Sequence, residues 1–177
     1  MVRKIIRYVA VATLLASLLC LWLLLRQPSL PTSEPSPDAA QSFTDKVAQL
    51  TLAHEQGLAG EIRLTEAEIN SQIEEGLKNH PPPANAAGLQ GARVHLEGDK
   101  LVALLAMKVK GRDVYVTVGG NLDFAKHSVR LVPSEVRIGS LPVPVSLLQS
   151  RIDMHMDVPE GITAMRVEDG ELVVATQ

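Results

Sequence analysis

The sequence predicts an α+β protein in which an N-terminal transmembrane helix is followed by two helices packed on a long antiparallel β-meander, a third helix and a C-terminal β-hairpin. Three observations predict it. An unbroken apolar run extends from Tyr8 to Leu25. Apolar residues recur at helical spacing from Phe43 to Leu58 and from Ala67 to Leu77. From Gln90 onward they alternate instead, with turn signals about every ten residues, the pattern of a meander.

The apolar run is flanked by Arg3, Lys4 and Arg7 on one side and Arg26 on the other. Its 18 residues make about 27 Å of helix at about 1.5 Å each, close to the hydrocarbon thickness of a bilayer. The excess of cations before the run keeps the N-terminus in the cytoplasm and exports everything after Arg26, and Tyr8 and Trp22 stand near the two ends, where amphipathic rings settle. A cleaved secretory signal would export the same residues. The run is long for that class, however, and its end, Leu23-Leu24-Leu25-Arg26, offers no small-x-small cleavage pair. Residues 1–26 are therefore read as an uncleaved single-pass anchor in the plasma membrane. Cys20, the single cysteine, reads as a small apolar residue within it. Leu19 stands where a lipoprotein site wants a small residue, and no disulfide can form within the chain.

Pro28, Pro31, Pro35 and Pro37, separated by Ser and Thr, make residues 27–40 a semi-rigid, unpacked spacer. Fully extended, it would hold a domain up to about 43 Å from the bilayer; folded back, it would lay the domain on the surface. Residues 41–177 form one extracytoplasmic domain. Beyond the anchor the chain carries 13 basic against 20 acidic side chains, a net charge of −7, which repels phosphate backbones. Only Phe43, Tyr115 and Phe124 are aromatic there, too few for base stacking, so nucleic acid is not an expected partner.

Within the domain, Phe43, Val47, Leu50, His54 and Leu58 predict a first helix over about Ser42–Gln56, ended by Gly57 and Gly60. A short extended piece, Glu61–Leu64, leads to Thr65-Glu66-Ala67-Glu68, the signature of a capping box. The helix it opens runs to about Lys78, with Ala67, Ile69, Ile73 and Leu77 as its apolar stripe and Glu74, Glu75 and Lys78 left for water; Pro81-Pro82-Pro83 forbids continuation. Four strands follow, at Gln90–Glu97, Lys100–Lys110, Val114–Phe124 and Ser128–Ile138, with turns at Gly98-Asp99, 111–113 and 125–127. Pro133 implies an edge position or a bulge, and Gly119-Gly120 in mid-strand implies a bulge or bend that curves the sheet. The second strand is apolar on both faces, Leu101, Ala103, Leu105, Met107 and Val109 on one and Val102, Leu104 and Ala106 on the other, so both need cover. After the Leu141-Pro142-Val143-Pro144 crossing, Val145, Leu148, Ile152 and Met156 predict the third helix, and Ile162–Glu168, Asp169-Gly170 and Glu171–Thr176 the closing hairpin.

Candidate chemistry is sparse. His54, His80, His95, His127 and His155 are dispersed, without metal-ligand spacing. Asp153-Met154-His155-Met156-Asp157, if on a strand, would set two carboxylates and an imidazole on one face, but the same residues fit the polar end of a helix. Glu66 and Glu68, and Glu74 and Glu75, are explained by helix capping and a solvated face. Ser134, Ser140, Ser146 and Ser150 lack a nucleophile-elbow context. The sequence thus marks no catalytic, cofactor-binding or metal residue and calls for no enzyme, while the lipid- or partner-facing positions stay unassigned.

The run Leu64-Thr65-Glu66-Ala67-Glu68-Ile69-Asn70 after an extended piece, the meander, the Leu141-Pro142 crossing and the Val-rich hairpin at Asp169-Gly170 form a familiar order. Over most of residues 60–176 it resembles the YpmS-like and LmeA-like families of bacterial exported or single-pass membrane proteins. For the LmeA-like family the resemblance implies phospholipid binding in a long, curved sheet wrapped about a helix, an architecture similar to tubular lipid-binding domains. For the YpmS-like family it implies no activity. The matching positions shape the fold, so no binding residue carries over individually, and Leu, Val and Met would have to line any cavity. The expected function is a membrane-tethered binding domain of the bacterial cell envelope that holds a lipid or acyl chain. The alternative is a structural or assembly protein that docks another envelope protein through its sheet edge or apolar face.

Overall fold

Ser36 starts the first helix of the domain, α1 (Pro37–Glu55): its hydroxyl accepts the Ala39 N–H at 3.1 Å, and Pro37 sits in the first turn, where its missing N–H costs nothing. The helix therefore begins five residues before the expected Ser42. The structure, a computed structural model, describes residues 33–80, 88–125, 128–147 and 155–177, together with 13, 15, 17–19, 22 and 23. Among the described residues no helix is long and apolar enough to cross a membrane. Apart from those seven helical positions, the anchor expected over 1–26 lies outside the described residues.

From α1 the chain enters strand β1 (Gly60–Leu64), then helix α2 (Glu66–Asn79), opened by the expected capping box: the Thr65 hydroxyl accepts the Glu68 N–H while the Glu68 carboxylate accepts the Thr65 N–H. The meander follows as β2 (Leu89–Glu97), β3 (Lys100–Val109), β4 (Arg112–Ala125) and β5 (Ser128–Ile138), within two residues of the expected bounds. A three-residue β6 (Leu141–Val143) completes the path β2-β3-β4-β5-β6. The closing hairpin, β8 (Ile162–Glu168) and β9 (Glu171–Thr176), does not extend this sheet. It pairs with β1 in a separate three-stranded sheet of order β1-β9-β8. Asp169 and Gly170 both take positive φ, 52° and 77°, as an Asp-Gly hairpin turn requires.

Neither described end of the expected third helix is α-helical. Val145–Leu147 is a single 3-10 turn, and His155–Asp157 is a strand, β7, antiparallel to Ser128–Arg130. β6 reaches only Val136–Ile138 on β5, which leaves the backbone of Ser128–Arg130 open for pairing, and sheet hydrogen bonds decide the conformation of Met156. Residues 148–154 of that expected helix lie outside the described residues.

The bulge expected at the paired glycines is present. The β4–β5 register shifts between Gly119 and Gly120, with Gly119 opposite Glu135 and Gly120 opposite Pro133, so Ser134 is the extra residue. A Cβ on Gly120 would stand 2.1 Å from the Val132 carbonyl oxygen, which explains why only glycine fits. Pro133 lies in the part of β5 between the β6 and β7 pairings, where no described strand pairs with it on that side, so its missing N–H is tolerated.

Two helices on one meander was the expectation; the packing is divided instead. Leu50 of α1 packs with Ile62, Leu64 and Val174 of the small sheet, joined by Phe43. Ile69 and Ile73 of α2 cover Val94 and Leu96 of β2 together with Val167 of β8. Val118, Leu131 and Val136 form a third cluster under Val143 and Val145. The far end of the predicted α1 stripe is bare, with Leu58 55% exposed.

Candidate functional site

The run that carried the resemblance is the joint of the domain. Helix α2 does not present one apolar face with the rest solvated, since Glu68, Asn70 and Ser71 are its buried residues. Asn70, 1% exposed, donates its side-chain N–H to the Val94 carbonyl at 2.9 Å and accepts the Val94 N–H at 2.7 Å. Its carboxamide takes the place of a neighbouring strand on β2, the edge of the large sheet. One turn earlier, Glu66 accepts the Leu96 N–H at 3.2 Å and lies 2.7 Å from His95 Nδ1. Positions four apart share a helix face, so Glu66 and Asn70 cap successive outward groups of the same strand.

Glu68 points the other way, into α1. Its carboxylate accepts from Lys46 Nζ at 2.8 Å, from the Ser42 hydroxyl and from the Thr65 N–H at 2.7 Å, while Lys46 also donates to the Arg63 carbonyl at 2.7 Å. Burial alone would raise its pKa. The bonds from Lys46, Ser42 and Thr65 outweigh that and hold the carboxyl at about 2. Glu66 is likewise lowered, burial being outweighed by the Ser33 and Leu96 amides and by His95. The Ser33 N–H donates to Glu66, and the Ser36 N–H donates to Ser71 Oγ at 2.9 Å. Of the spacer expected over 27–40, residues 27–32 lie outside the described residues, Ser33 and Ser36 are bound to α2, and 37–40 are helical.

The large sheet has one face that is apolar across its strands. Register places Val94 and Leu96 beside Ala103 and Leu101, these beside Val118 and Gly120, and Val118 beside Val136. The same side carries Leu105, Met107, Val114, Val116, Leu122, Phe124, Ile138, Leu141 and Val143, all half-buried. Burial is complete near α2, β8 and the 3-10 turn, and again at Val129, where β7 pairs with β5. The outer face is different. There the β3 stripe of Val102, Leu104 and Ala106 lies between Arg93 and His95 on β2 and Tyr115 and Thr117 on β4, so it is one strand wide. Thr117 is buried there, its hydroxyl without a hydrogen-bond partner among the described residues. Sequence alternation marked β3 as two-faced; the contrast between its faces comes only from its neighbours.

Other candidates do not converge. Among the described residues no group of three His, Cys, Asp or Glu side chains could hold a metal ion. His155 and Asp157 do fall on a strand, with His155 opposite Arg130, while Asp153 lies outside the described residues. Ser134 is the bulge residue and bonds the Gly119 carbonyl at 3.3 Å. A cleft of about 410 Å3 opens between the start of α1 and α2, lined by Ser36, Gln41, Thr44, Ser71, Glu74 and Lys78. Its walls mix these polar side chains with Pro35, Pro37 and Ala40, and none of its lining residues belongs to the large sheet. The buried roles of Asn70 and Glu68 leave no helical-stripe signal; a polar residue at 70, four positions after Glu66 and so on the same helix face, was the available one.

No family model, curated protein or solved structure matches the chain. Its function is argued from these surfaces.

Proposed function

We propose that the chain is a membrane-tethered, extracytoplasmic binding domain of the bacterial envelope that takes a lipid acyl chain against the inner face of its large sheet. The carrying observation is that face itself, apolar on β2 through β6 yet only half-buried from Leu105 and Met107 through Val114 and Val116 to Ile138 and Leu141. Leu15, Leu18, Leu19 and Trp22, helical and each more than half exposed, support an anchor that needs an apolar solvent. The resemblance to LmeA-like proteins belongs to the same reading. An assembly protein docking through a sheet edge is less well supported: Glu66 and Asn70 already occupy the Val94 N–H and C=O and the Leu96 N–H on the β2 edge, and β6 and β7 are three residues long.

Native mass spectrometry of the full chain, extracted gently from membranes, tests the proposal. A phospholipid adduct that survives delipidating washes is expected. A clean apo mass, with no lipid transfer between vesicles, overturns it, and crosslinking that repeatedly traps one envelope protein on the inner face favours the alternative.

A further inference from the structure

The two ends of the large sheet differ in charge and in what they touch. The β3–β4 turn carries Lys108, Lys110 and Arg112 within five residues, against Asp113 alone, in a domain whose overall charge is strongly negative. Lys108, Lys110 and Arg112 form no ion pair among the described residues. Val109, between them in sequence, is 44% exposed. At the other end the β2–β3 and β8–β9 turns meet, the Gly170 N–H donating to the Gly98 carbonyl at 3.2 Å. That end carries Glu97, Asp99, Asp169 and Glu171, the last paired with Arg63 at 3.7 Å, with Lys100 the cation of its β2–β3 turn.

The β5–β6 turn lies at the basic end, because Ile138 pairs with Val116 and the Gly139 N–H donates to the Tyr115 carbonyl at 2.7 Å. The next residue, Ser140, donates its N–H to the Leu23 carbonyl at 2.9 Å. Leu23 is near the outer end of the apolar run, where the last carbonyls of a spanning helix lack partners within the helix. Ser140 therefore joins the basic end of the sheet to the level at which the anchor would leave the bilayer. The tether agrees in length. Ser33 is held by Glu66, so Arg26 to Ser33 can span at most about 25 Å at about 3.6 Å per residue.

We propose that the β3–β4 turn is a membrane-docking tip, with Lys108, Lys110 and Arg112 on anionic phospholipid headgroups and Val109 at their boundary with the acyl chains. The domain stands with its basic end on the outer leaflet and its acidic end away from it. Met107 and Val114, just above the tip on the inner face, then meet the leaflet first, so an acyl chain enters the sheet from that end. The inference rests on the tethered, acyl-binding reading for its direction of entry, and on charge and the Ser140–Leu23 bond for its orientation.

The test uses the full chain in nanodiscs of phosphatidylcholine, alone or mixed with phosphatidylglycerol. A polarity-sensitive dye is placed at Val109→Cys or Glu97→Cys on a Cys20→Ala background. In anionic discs the dye at 109 should shift to the blue, and the dye at 97 should not. K108E/K110E/R112E should lower the docked-to-undocked ratio about a hundredfold, taking about fivefold per cation at an anionic leaflet. About 0.5 M salt should weaken docking of the unsubstituted tip as well, which keeps the test independent of any folding defect in the triple variant. A silent dye at 109, an equal response in phosphatidylcholine alone, or a response at 97 instead overturns the inference. Bound lipid is read separately: a docked tip on a chain that carries no lipid sinks the proposed function alone, and bound lipid with a silent tip sinks the docking alone.

Discussion

Replacing Glu68 with Gln isolates the charge at the joint between α1, β1 and α2. Gln keeps the shape and can still accept the Thr65 N–H, but it removes the anion that Lys46 Nζ approaches at 2.8 Å and that the Ser42 hydroxyl also donates to. Folding lowers this carboxyl from 4.5 to about 2, and its side chain is 6% exposed, so solvent screens it little. At about 1.4 kcal/mol per pKa unit the charge contributes about 3 kcal/mol to stability, present in full above the unfolded pKa and lost as pH falls through the folded one. Lys46, one third exposed, can turn to water, so little further penalty is added. Urea unfolding of the full chain in detergent, followed by circular dichroism, should show E68Q less stable by about 2–3 kcal/mol at pH 7. The gap should hold to about pH 5, halve by about pH 3 and fall to a few tenths near pH 2. A gap that stays constant from pH 7 to 3, or is absent at pH 7, would refute the assignment of stability to this charge.

Three further substitutions probe the sheet. Asn70→Leu strands the N–H and C=O of Val94, and at about 1–3 kcal/mol per unpaired buried group should cost about 3 kcal/mol, with early hydrogen exchange at Val94 as its signature. Gly120→Ala drives a methyl into the Val132 carbonyl and Pro133 backbone, and should cost about 3 kcal/mol or more in the same unfolding assay, because rigid neighbours cannot yield. Thr117→Val removes a buried hydroxyl that has no partner among the described residues, and should leave stability unchanged or raise it by about 1 kcal/mol; a loss of similar size would mean that the hydroxyl is bonded.

Local patterns made most of the fold legible. The capping box at Thr65, the Asp169-Gly170 turn and the period-two strands depend on neighbours a few residues apart, and each formed where expected. What failed depended on distant partners. Val145, Leu148, Ile152 and Met156 have helical spacing, yet Met156 sits on a strand because the open backbone of Ser128–Arg130 recruits it, and no periodicity records that. The closing hairpin was legible as a hairpin but not as the partner of β1, since Gly60–Leu64 and Leu172–Thr176 are joined only in space. The candidate face was half visible: alternation marked both sides of β3, and only the cross-strand register separated an apolar side from a stripe hemmed by Arg93, His95 and Tyr115.

The shortage of aromatics bears on the choice between lipid and protein for that face. Protein interfaces concentrate their energy in a few Trp, Tyr and Arg anchors that fill pockets. Along the inner face the side chains are Val, Leu, Ile and Met, with Phe124 near the end remote from the basic turn and Tyr115 directed to the opposite side. Such a surface offers area without directional anchors. An acyl chain asks for no more than that, since its transfer from water scales with the apolar area covered, at about 25 cal/mol per Å2. Selectivity must then come from where the surface can be reached. With the Val94 and Leu96 backbone on the β2 edge taken by Asn70 and Glu66, and Lys108, Lys110 and Arg112 gathered at one end, the proposed route for an anionic lipid passes the β3–β4 turn. The same side chains that make the face a poor protein hot spot leave headgroup charge, read at the tip, as the discriminating contact.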